Sequence, residues 1–171
     1  MPQYFGKYRG TIFNNIDPEQ RGRLTLIVPD VTGIIPSTWA EPCVPLAGPT
    51  GPPMGVYMVP PIGAGVWVEY EQGSQDHPIW TGCRWGSVSD IPTLAFAGLP
   101  ADPNIVIQSL AQNTFMISDL PGPTGGIMLK STTGAFILVN DTGIYIDNGK
   151  GASIKLVGPA VNINSGALNI I

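Results

Sequence analysis

Proline and glycine interrupt this chain too often for helices to run. The 171 residues include 18 Pro and 22 Gly. The longest proline-free stretch, Thr124–Gly158, is itself broken by glycine at 125, 126, 134, 143, 149, 151 and 158. Inside a helix each glycine costs about 1 kcal/mol relative to alanine and each proline about 3. A chain cut this finely either stays disordered or folds as short strands joined by turns. Disorder requires low hydrophobicity and high charge, because such a chain cannot bury enough apolar area to offset backbone entropy. Here 43% of residues are hydrophobic and only 12% charged. Val, Ile and Thr, which suit a pleated surface, number 12, 19 and 12. The expected fold class is all-β, with at most one short helical turn.

Charge and cysteine usage narrow the function classes. A net charge of −4, with eight Lys+Arg scattered along the sequence, argues against a reader of the phosphate backbone. No long apolar span and no basic segment followed by an apolar core is present, so neither a membrane helix nor a secretory leader is expected. Cys43 and Cys83 lie 40 residues apart without a CxxC, and His77 is the single histidine. That pattern does not build a metal site, and no cofactor is expected. The two thiols are expected to be buried and reduced.

A composition shift near residue 95 divides the chain. Residues 1–94 carry 13 of the 20 charges and every Glu, Arg and Trp; residues 95–171 have none of those three types. The expected domains are 1–94, a connector over 95–112, and 113–171. The first part offers five strand candidates, Phe5–Asn14, Arg23–Val31, Trp39–Leu46, Gly65–Tyr70 and Pro78–Trp85. Five short strands with a long Pro/Gly loop before the fourth fit a small closed barrel of the OB type.

The last part repeats. Apolar pairs two residues apart recur as Ile127/Leu129, Phe136/Leu138, Ile144/Ile146, Ile154/Leu156, Val161/Ile163 and Leu168/Ile170, stepping by 9, 8, 10, 7 and 7. A period of two means one buried face, and the short recurrence means the chain turns after each strand. Gly, Asn and Asp at the joints supply the turn conformations. A single-chain solenoid needs roughly twenty residues per coil to close its own core, and about three repeats. These segments are too short for that, so two further copies are expected to supply the remaining faces, giving an intertwined triple-stranded β-helix in a homotrimer; the alternative is a flat meander packed on the first domain.

Several residues invite a chemical reading. His77 beside Asp76 resembles an acid/base pair, but a lone His in a polar turn is explained by the turn. Asp141 and Asp147 could be the paired carboxylates of a polysaccharide hydrolase, although both sit at corner positions where Asx turns account for them. Trp67, Trp80, Trp85, Tyr57 and Tyr70 could form a stacking face, so an OB-type oligonucleotide or glycan binding module with a β-rich appendage is the alternative reading. Asp17, Glu19, Arg21 and Arg23 read as a solvated hairpin end.

With barrel and repeat in place, the sequence resembles the baseplate central spike family: baseplate assembly protein V of phages and the valine–glycine repeat spikes of type VI secretion and other contractile injection systems. Tyr8–Val28 (YRGTIFNNIDPEQRGRLTLIV) is similar to the first OB hairpin of that family. Pro60–Tyr70 (PPIGAGVWVEY) with Gly73 and Pro78–Gly82 (PIWTG) resembles its most characteristic stretch. Asn113–Gly134 resembles the start of its β-helix. The resemblance implies a non-enzymatic, homotrimeric needle with an OB collar, located in the baseplate of a virion or injection particle, that transmits contraction force to pierce a cell envelope. The needle core would be Ile127, Leu129, Phe136, Leu138, Ile144, Ile146, Ile154, Leu156, Val161 and Ile163. A hub protein would dock at the OB end through Tyr4, Phe5, Lys7 and Tyr8. Larger relatives carry an effector domain, and no insertion here is long enough for one. Some phage spikes end in an iron-binding His-x-His, whereas this sequence ends in Leu168–Ile171 (LNII). A separate PAAR-type tip protein is therefore expected to dock on Leu168, Ile170 and Ile171.

Overall fold

A computed structural model describes residues 2–48 and 51–170 and shows an all-β chain. Two compact units divide between Asp90 and Ile91.

The first unit is one five-stranded sheet: β1 (Tyr8–Asn14), β2 (Thr25–Ile27), β3 (Glu41–Pro42), β4 (Gly65–Tyr70) and β5 (Pro78–Arg84), in the order β2-β1-β4-β5-β3. Its ladders are antiparallel except β3 on β5, which is parallel. Leu24 and Ala40 exchange backbone N–H···O bonds of 3.1 and 2.7 Å, which return the β3 side onto β2. That bridge curls the open sheet into an OB-type half-barrel, where the strand spacing suggested a fully closed one. β3 is shorter than the run Trp39–Leu46 suggests, because Pro42 and Pro45 have no N–H to give a ladder. Helical turns are more numerous than the single one expected: besides α1, Pro29–Thr32, five short 3-10 turns occur among the described residues.

Alternation builds the core. Along β4 the inward side chains are Val66, Val68 and Tyr70, and the intervening residues face outward. Ile12, Leu24, Leu26 and Val28 meet them, and Trp80 fills the centre with its indole Nε1 donating to the Gly22 carbonyl at 3.1 Å. Strand β1 can lie this close to β4 because residue 10 is glycine: a β-carbon there would stand 2.8 Å from Val68 Cγ2.

The β1–β2 hairpin end differs from a solvated turn. Glu19 and Arg21 are exposed, but Asp17 is buried and Arg23 nearly so. The Asp17 carboxylate accepts from the backbone N–H groups of Glu19, Arg21 and Arg23 at 3.0, 2.9 and 3.2 Å, and from Arg23 Nη2 at 2.7 Å. The Arg23 guanidinium, helped by those N–H groups, holds the Asp17 carboxyl well below the usual carboxylate range despite its desolvation. A lowered folded-state pKa contributes stability above the ordinary carboxylate value, near 4, and that contribution is lost as pH falls below it. Asp17→Asn is therefore expected to lower the barrel's melting temperature at pH 7 and to flatten its dependence on pH between about 5 and 2. Thermal unfolding across that range checks both effects; an unchanged slope would show that the Asp17–Arg23 pair does not set the acid dependence.

The second unit is an eight-stranded antiparallel meander: β6 (Ile105–Gln108), β7 (Thr114–Ser118), β8 (Gly126–Lys130), β9 (Phe136–Asn140), β10 (Gly143–Asp147), β11 (Ser153–Val157), β12 (Ala160–Ile163) and β13 (Leu168–Ile170). Every strand pairs only with its neighbours in sequence. β6 falls inside the stretch 95–112 expected as a connector. Two-residue turns join β9 to β10 and β11 to β12, since Asn140 pairs with Gly143 and Val157 with Ala160. Gly126, at φ 97°, lies so close to β9 that a β-carbon would collide with the Val139 carbonyl oxygen. Behind β6 and β7, Asn104 donates to the Leu94 carbonyl at 2.8 Å and covers Met116, which is 4% exposed.

Candidate functional site

In an antiparallel ladder, directly opposed residues project to the same face. Following the opposed pairs across the sheet gives two continuous rows. One is Ile107, Phe115, Leu129, Ile137, Ile146, Ile154, Ile163 and Leu168. The other is Ile105, Ile117, Ile127, Val139, Ile144, Leu156, Val161 and Ile170. Every member of both rows is aliphatic or Phe. No polar side chain interrupts either row.

Most of this stripe is open to solvent in the single chain. Ile127 and Leu129 are 50% and 51% exposed, Ile137 and Val139 43% and 41%, and Ile105 61%. The sheet curves toward this side, leaving a concave trough lined by Phe115, Leu129, Ile137, Ile146, Ile154 and Ile163 among others. The opposite face runs through Val106, Met116, Met128, Leu138, Tyr145, Lys155 and Asn162 and changes from apolar to polar along the sheet.

The register corrects two of the expected needle-core residues. Phe136 opposes Lys130 and Asp147, and Leu138 opposes Met128 and Tyr145, so both lie on the face opposite Ile127 and Leu129. The β9 members of the stripe are Ile137 and Val139. All four residues 136–139 are apolar, so alternation alone fits either set. The two-residue turn Asp141–Thr142 decides it, because pairing Asn140 with Gly143 places Val139 against Ile144. The stripe also starts earlier than the repeat suggested, at Ile105/Ile107 and Phe115/Ile117. Their alternation in IVIQ and TFMIS was the available signal. Leu168 and Ile170 stand at the last strand, 51% and 55% exposed. Ile171 lies outside the described residues.

The residues expected at the OB end divide. Tyr4, Tyr8 and Tyr70 form a ring cluster with centroids 5.6–6.0 Å apart, and burial, with Tyr8 and Tyr4 beside it, pushes the Tyr70 hydroxyl up to about 12. Lys7 Nζ is paired with Glu69 at 2.9 Å and donates to Thr81 Oγ1 at 3.0 Å. Phe5 is 67% exposed.

The chemical readings do not assemble into sites. Asp141 accepts the Gly122 N–H at 2.9 Å and Asp147 that of Gly149 at 2.7 Å. Asp141 sits in the turn before β10 and Asp147 ends that strand; the four steps from Gly143 to Asp147 alone span roughly 14 Å at ~3.4 Å per residue, beyond the ~5–9.5 Å of paired glycosidase carboxylates. His77 Nδ1 is 3.3 Å from Ser74 Oγ within its own turn. Of the supposed stacking face, Trp80 and Tyr70 are core residues, while Trp85 and Tyr57 are exposed. Cys43 and Cys83 are free, and both are exposed rather than buried, because they lie at the barrel surface. Partial desolvation nonetheless pushes the Cys83 thiol up. Among the described residues no group of three or more His, Cys, Asp or Glu is placed to hold a metal ion, and no helix is long and apolar enough to cross a membrane.

Comparison with known families agrees with both halves of the structure. Residues 8–85 match the type VI secretion system/phage-baseplate injector OB domain. Residues 104–169 match the phage baseplate V C-terminal trimerisation domain. No curated protein matches the chain. The trimerisation match spans nearly the whole meander, including β6, and assigns to self-association the sheet whose apolar face the lone chain leaves wet. A barrel of the injector type joined to that sheet identifies the chain as a member of the phage baseplate V family of baseplate spike proteins.

Proposed function

We propose that this protein is the force-bearing central spike of a contractile baseplate. Three copies bring their meander sheets together, stripe inward, as the three walls of a prism. Eight strands at ~4.8 Å spacing give a wall about 34 Å long. The observation that supports this reading best is the unbroken double row of apolar side chains, all on one face. Burying each Ile or Leu contributes about 1.5–3 kcal/mol, and three-fold symmetry repeats every contribution. A lone chain would carry the stripe as an aggregation hazard.

Sheath contraction would drive this narrow prism into the target envelope. The OB barrels would form the collar at its base, with hub contacts near Phe5 and the Tyr4–Tyr8 segment. The Leu168–Ile170 end would receive a conical tip protein of the PAAR type. The role requires no bond making or breaking by the chain.

Mass measurement in solution tests the reading, with and without SDS at room temperature. The expected result is a trimer that survives SDS, because exposing one chain's stripe exposes all three and makes unfolding slow. A monomer at micromolar concentration would reject it.

A further inference from the structure

Two apolar features of the barrel unit have no partner within it. The first is a pocket. From residue 42 to residue 68 the sequence contains no charged residue, although the barrel half carries most of the chain's charge. Part of that segment folds back on itself: the Gly48 N–H donates to the Met54 carbonyl at 2.8 Å and the Val56 N–H to the Leu46 carbonyl at 3.0 Å. The hairpin frames a cavity of about 490 Å³ walled by Val44, Leu46, Met54, Val56 and Tyr57, with the Arg21–Glu41 ion pair of 2.8 Å at its rim. Met54 and Tyr57 are 58% and 70% exposed.

The second is a knob. After α1 the chain turns at Gly33, with φ 62°, and presents Ile34 and Ile35. Ile34 is 91% exposed, the most exposed large apolar side chain among the described residues, and Ile35 is 67% exposed. Two adjacent β-branched side chains held in water are costly unless something covers them.

We propose that the Ile34–Ile35 knob of one copy seats in the Val44–Tyr57 pocket of the next, so that the barrels form a closed ring of their own. The inference rests on the trimer proposed above. A knob and a pocket at different places on one molecule make a heterologous contact, which closes into a ring when the rotation between copies allows it and otherwise grows a filament. Trimerisation through the sheet supplies a three-fold rotation and confines the three barrels at a high effective concentration. A second copy is the occupant favoured by the chemistry: apart from the Arg21–Glu41 pair, whose charges offset each other at the rim, the walls are apolar, like the buried centre of a subunit contact, and the complementary apolar knob is on the same chain.

Disulfide trapping in the full-length protein tests the contact. Cys43→Ser and Cys83→Ser remove the native thiols, both exposed, and Ile34→Cys is combined with Met54→Cys. Mild oxidation is expected to convert most of the protein to a covalent trimer on denaturing, non-reducing gels, while either single cysteine alone gives none. A particle that is trimeric by light scattering but yields no cross-linked species, or only an internally bridged monomer, would overturn the ring and leave the sheet trimer standing. A monomeric particle before oxidation would overturn both readings. As a second variant, Ile34→Asp with Ile35→Asp is expected to lower the barrel's melting temperature in the trimer, and no change in that temperature would count against the contact.

Discussion

Ile137→Asp is expected to convert the trimer to monomer or aggregate, whereas Leu138→Asp leaves it trimeric. The two residues are adjacent in β9 and similar in character, but the register sends them to opposite faces. At 137 the substitution would place a carboxylate from each of three copies into one narrow apolar core. Each copy loses about 1.5–3 kcal/mol of burial and must also desolvate or protonate a carboxyl group, which costs several kcal/mol more. Multiplied by three, the penalty exceeds what a usual assembly can absorb. At 138 the carboxylate joins a face that already carries Tyr145 and Lys155. Sedimentation equilibrium on the two variants separates the cases. If both remained trimeric the stripe would not be the interface, and if only Leu138→Asp dissociated the inward face would be the other one.

Trp80→Ala is expected to destabilise the barrel by about 3–5 kcal/mol, the usual cost of deleting a large buried aromatic side chain. A domain of this size commonly has about 5–15 kcal/mol in total, so the variant barrel should unfold tens of degrees earlier, at about 4–8 °C per kcal/mol. Trp80 is 5% exposed and sits at the centre of a core whose other members are mostly aliphatic. Its indole also satisfies the Gly22 carbonyl. Trp80→Phe keeps most of the ring and loses that bond, so it should cost distinctly less, with about 1 kcal/mol attributable to the bond. Calorimetry is the appropriate measurement, because the sheet trimer should melt separately and at an unchanged temperature. A single transition moving as a whole would show that the two units are energetically coupled.

Much of this was legible before any coordinates. The spacing of proline and glycine excluded long helices, and GVWVEY was legible as a strand that β4 matches residue for residue. The apolar pairs at steps of 7–10 disclosed short strands with one buried side, but left open that a single chain pairs them in sequence order as a meander. Legibility failed where both alternate sets were apolar, as in Phe136–Val139, since a one-residue slip there exchanges two hydrophobic faces rather than a hydrophobic for a polar one. It failed again at Asp17 and Arg23. A run of mixed charges reads as solvated until the hairpin curls its backbone N–H groups onto one carboxylate, and no local sequence property encodes that curl. Cys43 and Cys83 misled for the converse reason: thiols flanked by apolar residues can still stand on the outside of a barrel this small.

The meander also bears on how such a particle is made. No strand of the second unit waits for a partner far along the chain, so its loops close over few residues and the sheet can form quickly. What cannot form on one polypeptide is the dry side of that sheet. Production of a working particle then becomes a race between encounters of three siblings and capture of the wet surface by anything else, including the open backbone edges at β6 and β13. The rate of correct capture rises steeply with local dosage, while the sheet-forming steps before it do not depend on dosage at all. Chains translated together from one message are favoured by that arithmetic, and dilute expression is penalised even when every individual molecule folds its own hydrogen bonds correctly.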